Sequence, residues 1–427
     1  MTKCTSNQPP SKASKDQTIP EVWSSVSSRS TSVFAPHWDL DPELVFLNHG
    51  SFGATPRAVM EEQRKWQRQM ERNPVGFMED ELPAMLDQAR VAVGHHLRCD
   101  PDDLALIENA TSGVNGVLRS LRFAPGDELL VPDHAYKACR NVLDYVASRS
   151  NARVVTVEIP FPIEGPEVVI ERVLDAVTDR TALAMLDTVT SPTGLRMPFE
   201  PLIEELERRG IQVLLDAAHG IGLLDLHLDD LGASYTVTNA HKWLCAPKGC
   251  AILHVRTDRQ EDLAPLIISH GRTVPLGDTS RFRHEFDWMG TRDPTAWCTL
   301  PFTIEFLGNL HPGGWTGIMS DNHQLALRAR RVIAERLGLE IPCPDSMISA
   351  LATLILPHRN DSSHLSHDDE DPLHRWLADQ GVQVPVWTWP SPAGRYIRVS
   401  SHLYNSIEQY AHLADMLVQG LSGELTS

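Results

Sequence analysis

Between about residue 85 and residue 300 the chain alternates. Stretches of mixed charge with helical spacing are separated by short apolar runs. The runs Leu104–Ile107, Glu128–Val131, Arg153–Val157, Leu183–Asp187, Gln212–Asp216, Tyr235–Asn239 and Gly249–His254 read as strands. Strands alternating with helices predict an α/β unit around a mostly parallel sheet. Open sheets of that kind bind ligands at the carboxyl ends of their strands. The segments to inspect for chemistry are therefore Asn109–Gly113, Asp187–Gly194, Asp216–His219 and Asn239–Lys242.

Outside that block the pattern changes. Val45 to Gly53 reads as a short strand running into a Gly-rich turn. Pro56 then opens a helix with Val59, Gln63, Trp66 and Met70 on one face. Beyond residue 305 the pattern predicts a smaller α+β unit, with a helix over Ser320–Leu337, a strand over Ala350–Leu356 and a further apolar run over Arg395–Ser400. A polar insertion, Asn360–Asp371, interrupts it. The first 36 residues are rich in Ser, Thr, Lys, Pro and Gln and carry little to bury, so they predict a disordered tail. The expected division is a tail over 1–36, an N-terminal segment over 37–84 packing with the small domain, a large domain over 85–304 and a small domain over 305–427.

Composition narrows the function classes. The chain has 427 residues, 42% hydrophobic and 22% charged, which is ordinary for a globular protein. With Lys+Arg at 38 and Asp+Glu at 56 the net charge is −18. That disfavours binding nucleic acid or an anionic membrane through bulk charge, and leaves a local phosphate pocket open. No apolar run approaches the roughly 20 residues of a membrane helix, and the N-terminus lacks the apolar stretch of a secretory signal. The seven cysteines are scattered without any CxxC pairing, which predicts a reducing compartment, the cytoplasm.

Three signals carry chemistry. Lys242 follows a strand and stands among aromatic and apolar neighbours, where desolvation would lower its pKa and make the amine nucleophilic. Taken alone it reads as a surface lysine whose stem snorkels, and only the neighbouring signals change that. Asp216 closes the apolar run Ile211–Leu215 and needs a partner there: a protonated pyridine nitrogen, a salt bridge or a helix end. Asn109-Ala110-Thr111-Ser112-Gly113 lies at a strand-to-helix junction that suits a phosphate or a plain N-cap. Neither GxxxxGK[ST] nor GxGxxG occurs, so nucleotide readings lose their usual loops. His364, His367 and His374, among Asp368, Asp369, Glu370 and Asp371, fit no zinc spacing and read as a solvated loop. No metal site is expected.

The order of these signals, each at a strand end, resembles the fold type I pyridoxal-phosphate enzymes, within the class V aminotransferase family. The stretches Phe46-Leu47-Asn48-His49-Gly50-Ser51-Phe52-Gly53-Ala54-Thr55-Pro56, Arg72-Asn73-Pro74, Asp216-Ala217-Ala218-His219-Gly220, His241-Lys242-Trp243 and Trp288-Met289-Gly290-Thr291-Arg292-Asp293 resemble the isopenicillin N epimerase-like subgroup. The resemblance implies a large domain with a mostly parallel seven-stranded sheet, a smaller α+β C-terminal domain, and pyridoxal 5'-phosphate as cofactor. It implies that Lys242 forms the Schiff base and moves protons at Cα, that Asp216 pairs with the pyridine nitrogen, and that His219 orients the phenolic oxygen. Ala110, Thr111, Ser112 and His241 would hold the phosphate. Tyr136, or alternatively His134, would stack on the ring, and Asp187, Thr190 and Ser191 would flank it. Thr291 would reach the phosphate of a neighbouring subunit, which implies a homodimer with the site at its interface. Arg398 would grip a substrate carboxylate, with Asn48 and His49 lining the pocket.

The resemblance implies epimerase or racemase chemistry on an amino-acid substrate. The alternatives are C–S lysis or another β/γ-elimination, replacement or cyclisation, and an inactive dimeric scaffold. Class V desulfurases carry a nucleophilic cysteine on a flexible C-terminal loop. Cys343, between Pro342 and Pro344, lacks that setting, so desulfurase activity is not expected.

Overall fold

The computed structural model describes residues 31–357, 371–390 and 393–426. Most of the expected tail and most of the polar insertion, including His364 and His367, lie outside the described residues.

Among the described residues twelve strands form three sheets. In chain order they are β1 (Val45–Phe46), β2 (Leu104–Ile107), β3 (Glu128–Pro132), β4 (Arg153–Val157), β5 (Thr181–Asp187), β6 (Gln212–Ala217), β7 (Tyr235–Thr238), β8 (Ala251–Val255), β9 (Leu351–Leu356), β10 (Val382–Gln383), β11 (Val386–Pro390) and β12 (Ala393–Ser400). The large sheet has the order β2-β8-β7-β6-β5-β3-β4. Its neighbours pair in parallel except β8, which is antiparallel to both β2 and β7. All seven expected strands are present, in a mostly parallel, mixed α/β sheet.

The strands are apolar throughout because both faces are covered. On β5, Leu183 and Met185 point into one core with the helices Ala110–Ser120 and Lys137–Ser150. Ala184 and Leu186 point into the other, with Val169 and Leu202 from the helices Pro166–Asp175 and Phe199–Arg208. This two-sided cover leaves the carboxyl ends of the parallel strands as the place where polar side chains gather.

The domain boundaries expected after residues 84 and 304 both fall inside helices, Leu82–Leu97 and Leu300–Leu310, where the chain runs on without a break. The sequence pattern does not announce β11. It is short, ends at Pro390 and lies at the edge of the sheet β11-β12-β9, where proline is tolerated. Among the described residues no helix is long and apolar enough to cross a membrane.

The N-terminal segment binds the C-terminal part to the large sheet. β1 pairs with β10, and the Ser400 N–H donates to the Leu47 carbonyl at 2.8 Å. Two residues on, a helical turn over His49–Phe52 ends at Gly53, whose φ is +72°. A Cβ at Gly53 would collide with the His241 carbonyl oxygen and lie 2.8 Å from Lys242 Cα. Gly222, at φ +81°, approaches Trp243 from the other side, with a Cβ contact of 2.5 Å to its carbonyl carbon. Glycine is required at both positions for conformation and for space.

Gly53→Ala is therefore expected to cost more than the ~1–3 kcal/mol of strain at φ +72°, ψ 164°, a region essentially restricted to glycine, because the lysine turn must also move. Gly210→Ala, at φ +81° with nothing within 4 Å of the new Cβ, should show only the conformational cost. Chemical denaturation of the two variants beside the parent measures the difference.

Candidate active site

β5 and β6 bring Asp187 and Asp216 into register at their carboxyl ends. Both are buried, and burial raises both carboxyl pKa values. Asp216 is held back by the Ala218 N–H at 2.9 Å, by the Cys139 thiol at 3.2 Å and by the charge of Lys242. Asp187 has no such help. Its Oδ2 lacks any hydrogen-bond partner, and the Asp216 charge drives its pKa up further. Asp187 is thus the member that holds a proton, and Asp216 the member that carries charge.

Lys242 stands beyond the end of β7. Its Nζ lies 3.3 Å from His219 Nε2. Burial, then the Arg398 charge, lower the lysine pKa from 10.5 to about 8, against a smaller opposing pull from Asp216. The Trp243 indole N–H donates to His219 Nδ1 at 3.1 Å. Burial, followed by the charges of Lys242 and Arg398, keeps His219 well below its usual pKa, so the ring is neutral. A neutral imidazole that accepts at Nδ1 carries its proton on Nε2. That proton faces Lys242 Nζ and favours the free amine there. Sequence reasoning does not single out Trp243. It adjoins the lysine, but the direction of its indole is a property of the fold.

His49 supports this turn from behind. It is fully enclosed, with Nδ1 2.8 Å from the Tyr404 hydroxyl and Nε2 3.0 Å from the Lys242 carbonyl. His402 stacks on it at 4.1 Å, and Cys245 lies against both rings. His49, expected to line a substrate pocket, has both ring nitrogens on protein partners and braces the lysine backbone.

The junction between β2 and the helix Ala110–Ser120 is capped by Asn109, whose Oδ1 accepts from the Ser112 N–H at 2.8 Å. The Ala110 N–H donates to Asn239 Oδ1 at 2.8 Å. Ala110 and Ser112 therefore spend these amides on asparagines. What remains for an anion is the helix N-terminus and the half-buried Thr111 and Ser112 side chains. His241 Nδ1 lies 3.0 Å from the Cys250 carbonyl, and burial lowers its pKa to about 4. The neutral ring donates at Nδ1 and can only accept at Nε2, so it contacts a phosphate favourably only after gaining a proton.

Arg398, on β12, is 5% exposed. It donates to the Ser191 carbonyl and, at 3.3 Å, to Ser51 Oγ, while its Nε has no partner. The Ser51 hydroxyl in turn donates to Asn48 Oδ1 at 2.6 Å, so Asn48 joins the cluster through Ser51. Trp387 places its ring 5.6 Å below the guanidinium. Burial lowers the Arg398 pKa to about 10, which leaves it charged at neutral pH. Among the described residues no carboxylate lies within ion-pair distance of it.

Other expected residues fall elsewhere. His134 is fully buried, with its ring nitrogens on Thr193 Oγ1 and the Ile159 carbonyl, whereas Tyr136 is 46% exposed. Of the two proposed stacking residues, Tyr136 has the free face. Thr190, expected to flank the ring, is enclosed and has its hydroxyl on Thr193 Oγ1 and the Leu195 N–H. Thr291 is exposed and lines a cavity of about 870 Å³ with Val75, Met78, His270 and Trp288, away from the Lys242 cluster of the same chain. The cysteines among the described residues are all buried.

Pyridoxal 5'-phosphate fits this donor set. Asp216 is a buried carboxylate whose bonds come from one amide and one weak thiol donor. Lys242 is a desolvated amine, and Thr111 and Ser112 sit at a helix N-terminus. A test of the tautomer argument is Trp243→Phe. Without the indole donor, neutral His219 can turn its proton to Nδ1 and accept from a lysine ammonium. One hydrogen bond of about 1 kcal/mol corresponds to a rise in the Lys242 pKa of up to about one unit. Reaction of the cofactor-free protein with a small aldehyde and cyanoborohydride, followed over pH, should show a midpoint near 8 in the parent and a higher one in the variant.

Comparison with known proteins agrees with this geometry. The model of the family "Aminotransferase class-V" matches residues 45–366. Isopenicillin N epimerase of Streptomyces clavuligerus is 32% identical over 398 residues, covering 90% of this chain and 96% of that protein. A probable chloroplastic L-cysteine desulfhydrase of Arabidopsis thaliana is 30% identical over 413 residues, covering 92% and 85%. Among solved structures, the cystine C-S lyase C-DES in complex with its reaction product cysteine persulfide superposes with a TM-score of 0.71 at 18% identity, covering 88% of this chain and 97% of that one. That likeness bears on the fold. With most of its length matched by the family model and its site residues gathered at the strand ends, the chain belongs to the class-V aminotransferase family.

Proposed function

We propose that this protein is a pyridoxal 5'-phosphate enzyme that removes the α-proton of an amino acid and then expels a β- or γ-substituent, as a C–S lyase does. The observation that carries the amino-acid reading is Arg398. It is a buried guanidinium, still charged, with an unpartnered Nε and no carboxylate beside it among the described residues. A charge so placed calls for an anion, and a substrate α-carboxylate supplies one in the bidentate geometry that arginine suits.

When bound, the cofactor supplies an aldehyde for Lys242 and a ring that draws electrons from Cα. The protein does the rest. Asp216, through its negative charge, would hold a proton at the ring nitrogen. His219 presents its Nε2 proton toward the lysine side of the ring. Lys242 Nζ would be the base that takes the α-proton. Arg398 holds the carboxylate so that the Cα–H bond meets that amine.

Elimination needs one base. Epimerisation needs a second proton carrier across from it. Among the described residues, His49 and His134 are enclosed with both ring nitrogens engaged, and His219 is committed to Trp243 and Lys242. For an epimerase the half-exposed Tyr136 hydroxyl is the candidate second carrier that we test. Desulfurase chemistry would need an accessible cysteine to accept sulfur. The cysteines among the described residues are buried, and the insertion at 358–370 contains none in its sequence. A scaffold without activity has no use for the charged, buried arrangement of Lys242, Asp216 and Arg398.

We place the protein in the cytoplasm as a homodimer. Free thiols fit a reducing compartment. Exposed Phe52, Val75, Ile267 and Ile268 leave apolar surface of the kind a partner subunit covers.

The test is reaction in deuterated water with a panel of amino acids, followed by mass spectrometry and chiral chromatography, for the parent and Tyr136→Phe. The proposal expects ammonia and a 2-oxo acid from a sulfur-substituted substrate. The variant keeps the stacking ring and loses only a hydroxyl, so it should lose no more than about tenfold, the scale of one hydrogen bond. Inversion at Cα with the side chain intact, abolished in Tyr136→Phe while exchange persists, would establish the epimerase instead.

A further inference from the structure

We propose that Asp103, Asp229 and His254 form a binding site for a divalent cation of the zinc class, at the edge of the large sheet remote from Lys242. His254 lies on β8 opposite Leu104, the first residue of β2, and therefore toward the amino ends of the parallel strands. Lys242 lies beyond their carboxyl ends. The two sites are separate.

The imidazole points to a ligand. His254 is 3% exposed, yet neither ring nitrogen has a hydrogen-bond partner. Buried polar groups are rarely left so. Its Nε2 lies 3.8 Å from Asp229 Oδ1, too far for a hydrogen bond. One ligand atom from each of Asp103, Asp229 and His254 lies within 4.8 Å of the other two. Two ligands at zinc distances and tetrahedral angles are about 3.3 Å apart, so closing the His254–Asp229 pair around an ion requires a contraction of only about half an ångström.

The surroundings allow that movement and prepare for it. Asp229 is exposed on the short helix Leu228–Leu231 and can close inward. Asp103 is buried and held by Thr257 Oγ1 at 2.9 Å and Gln260 Nε2 at 2.6 Å. Such outer contacts fix a metal-binding carboxylate while leaving lone pairs for the ion. The nearby Arg256 guanidinium is engaged with Asp258 at 2.5 Å and with Glu207 at 3.2 Å, so its charge is already paired. Asp100 adds negative charge close by.

One imidazole nitrogen with two carboxylates selects zinc or a similar first-row ion over magnesium or calcium, which favour all-oxygen shells. Water would complete the coordination at the exposed side. The ion would tie together the turn before β2, the 228–231 helix and the end of β8. These segments are distant in sequence, which is why no spacing rule finds the site.

The experiment is equilibrium dialysis of the cofactor-loaded protein against zinc, with metal analysis and thermal unfolding, for the parent, Asp229→Asn and His254→Gln. The expected result is one zinc per chain in the parent, at least tenfold weaker binding in each variant, and a zinc-dependent rise in the unfolding midpoint only in the parent. Asp229 is exposed, so Asp229→Asn keeps the test usable if His254→Gln fails to fold. Absence of stoichiometric zinc in the parent overturns the proposal, as does equal zinc in parent and Asp229→Asn. Cofactor absorbance should be unchanged in both variants.

Discussion

The turn that carries Lys242 is closed in by backbone on two sides, and the rest of the site depends on that closure. Gly53 meets the carbonyl of His241, Gly222 meets the carbonyl of Trp243, and His49 bonds the carbonyl of Lys242. No side chain fits between these segments. The lysine is therefore held at a fixed place beyond β7, out of water, and that desolvation brings its amine toward the free form near neutral pH. The N-terminal segment is as much a part of the site as the strand ends, since it supplies Gly53, His49 and Ser51.

Charge balance follows from the same enclosure. Four groups that would be unremarkable in water are brought together with little solvent: Lys242, Arg398, Asp216 and Asp187. Arg398 disfavours a second positive charge on Lys242, and Asp216 disfavours a second negative charge on Asp187. The arrangement leaves one lysine amine ready to take a proton, one carboxylate ready to hold one, and one guanidinium lacking a carboxylate among the described residues. These are the requirements for chemistry at the α-carbon of an amino acid.

Much of this is legible in the sequence. The seven apolar runs correspond to all seven strands of the large sheet because strands covered on both faces contain little but apolar residues. Lys242, Asp216, Asn109 and His219 are visible because each follows such a run. What is not legible is direction and commitment. His49 and Thr190 look like polar residues free to meet a ligand, yet the fold spends their polar atoms on Tyr404, the Lys242 carbonyl and Thr193. Ala110 looks like a phosphate contact, yet its amide is taken by Asn239, far along the chain. Trp243 gains its role only from the angle of its indole. Asp103, Asp229 and His254 share no spacing at all and meet through the pairing of β2 with β8 and the placement of the 228–231 helix. The expectation of no metal site rests on sequence spacing, and spacing is blind to such a meeting.

We propose that Lys242, and no other lysine, is the amine presented to the cofactor's aldehyde. The most direct measurement is borohydride reduction of the protein mixed with pyridoxal 5'-phosphate, followed by proteolysis and mass spectrometry of the modified peptides. One pyridoxyl group per chain is expected, on the peptide containing His241-Lys242-Trp243. Modification of Lys248 or Lys137 instead, or spread evenly over the lysines, would contradict it.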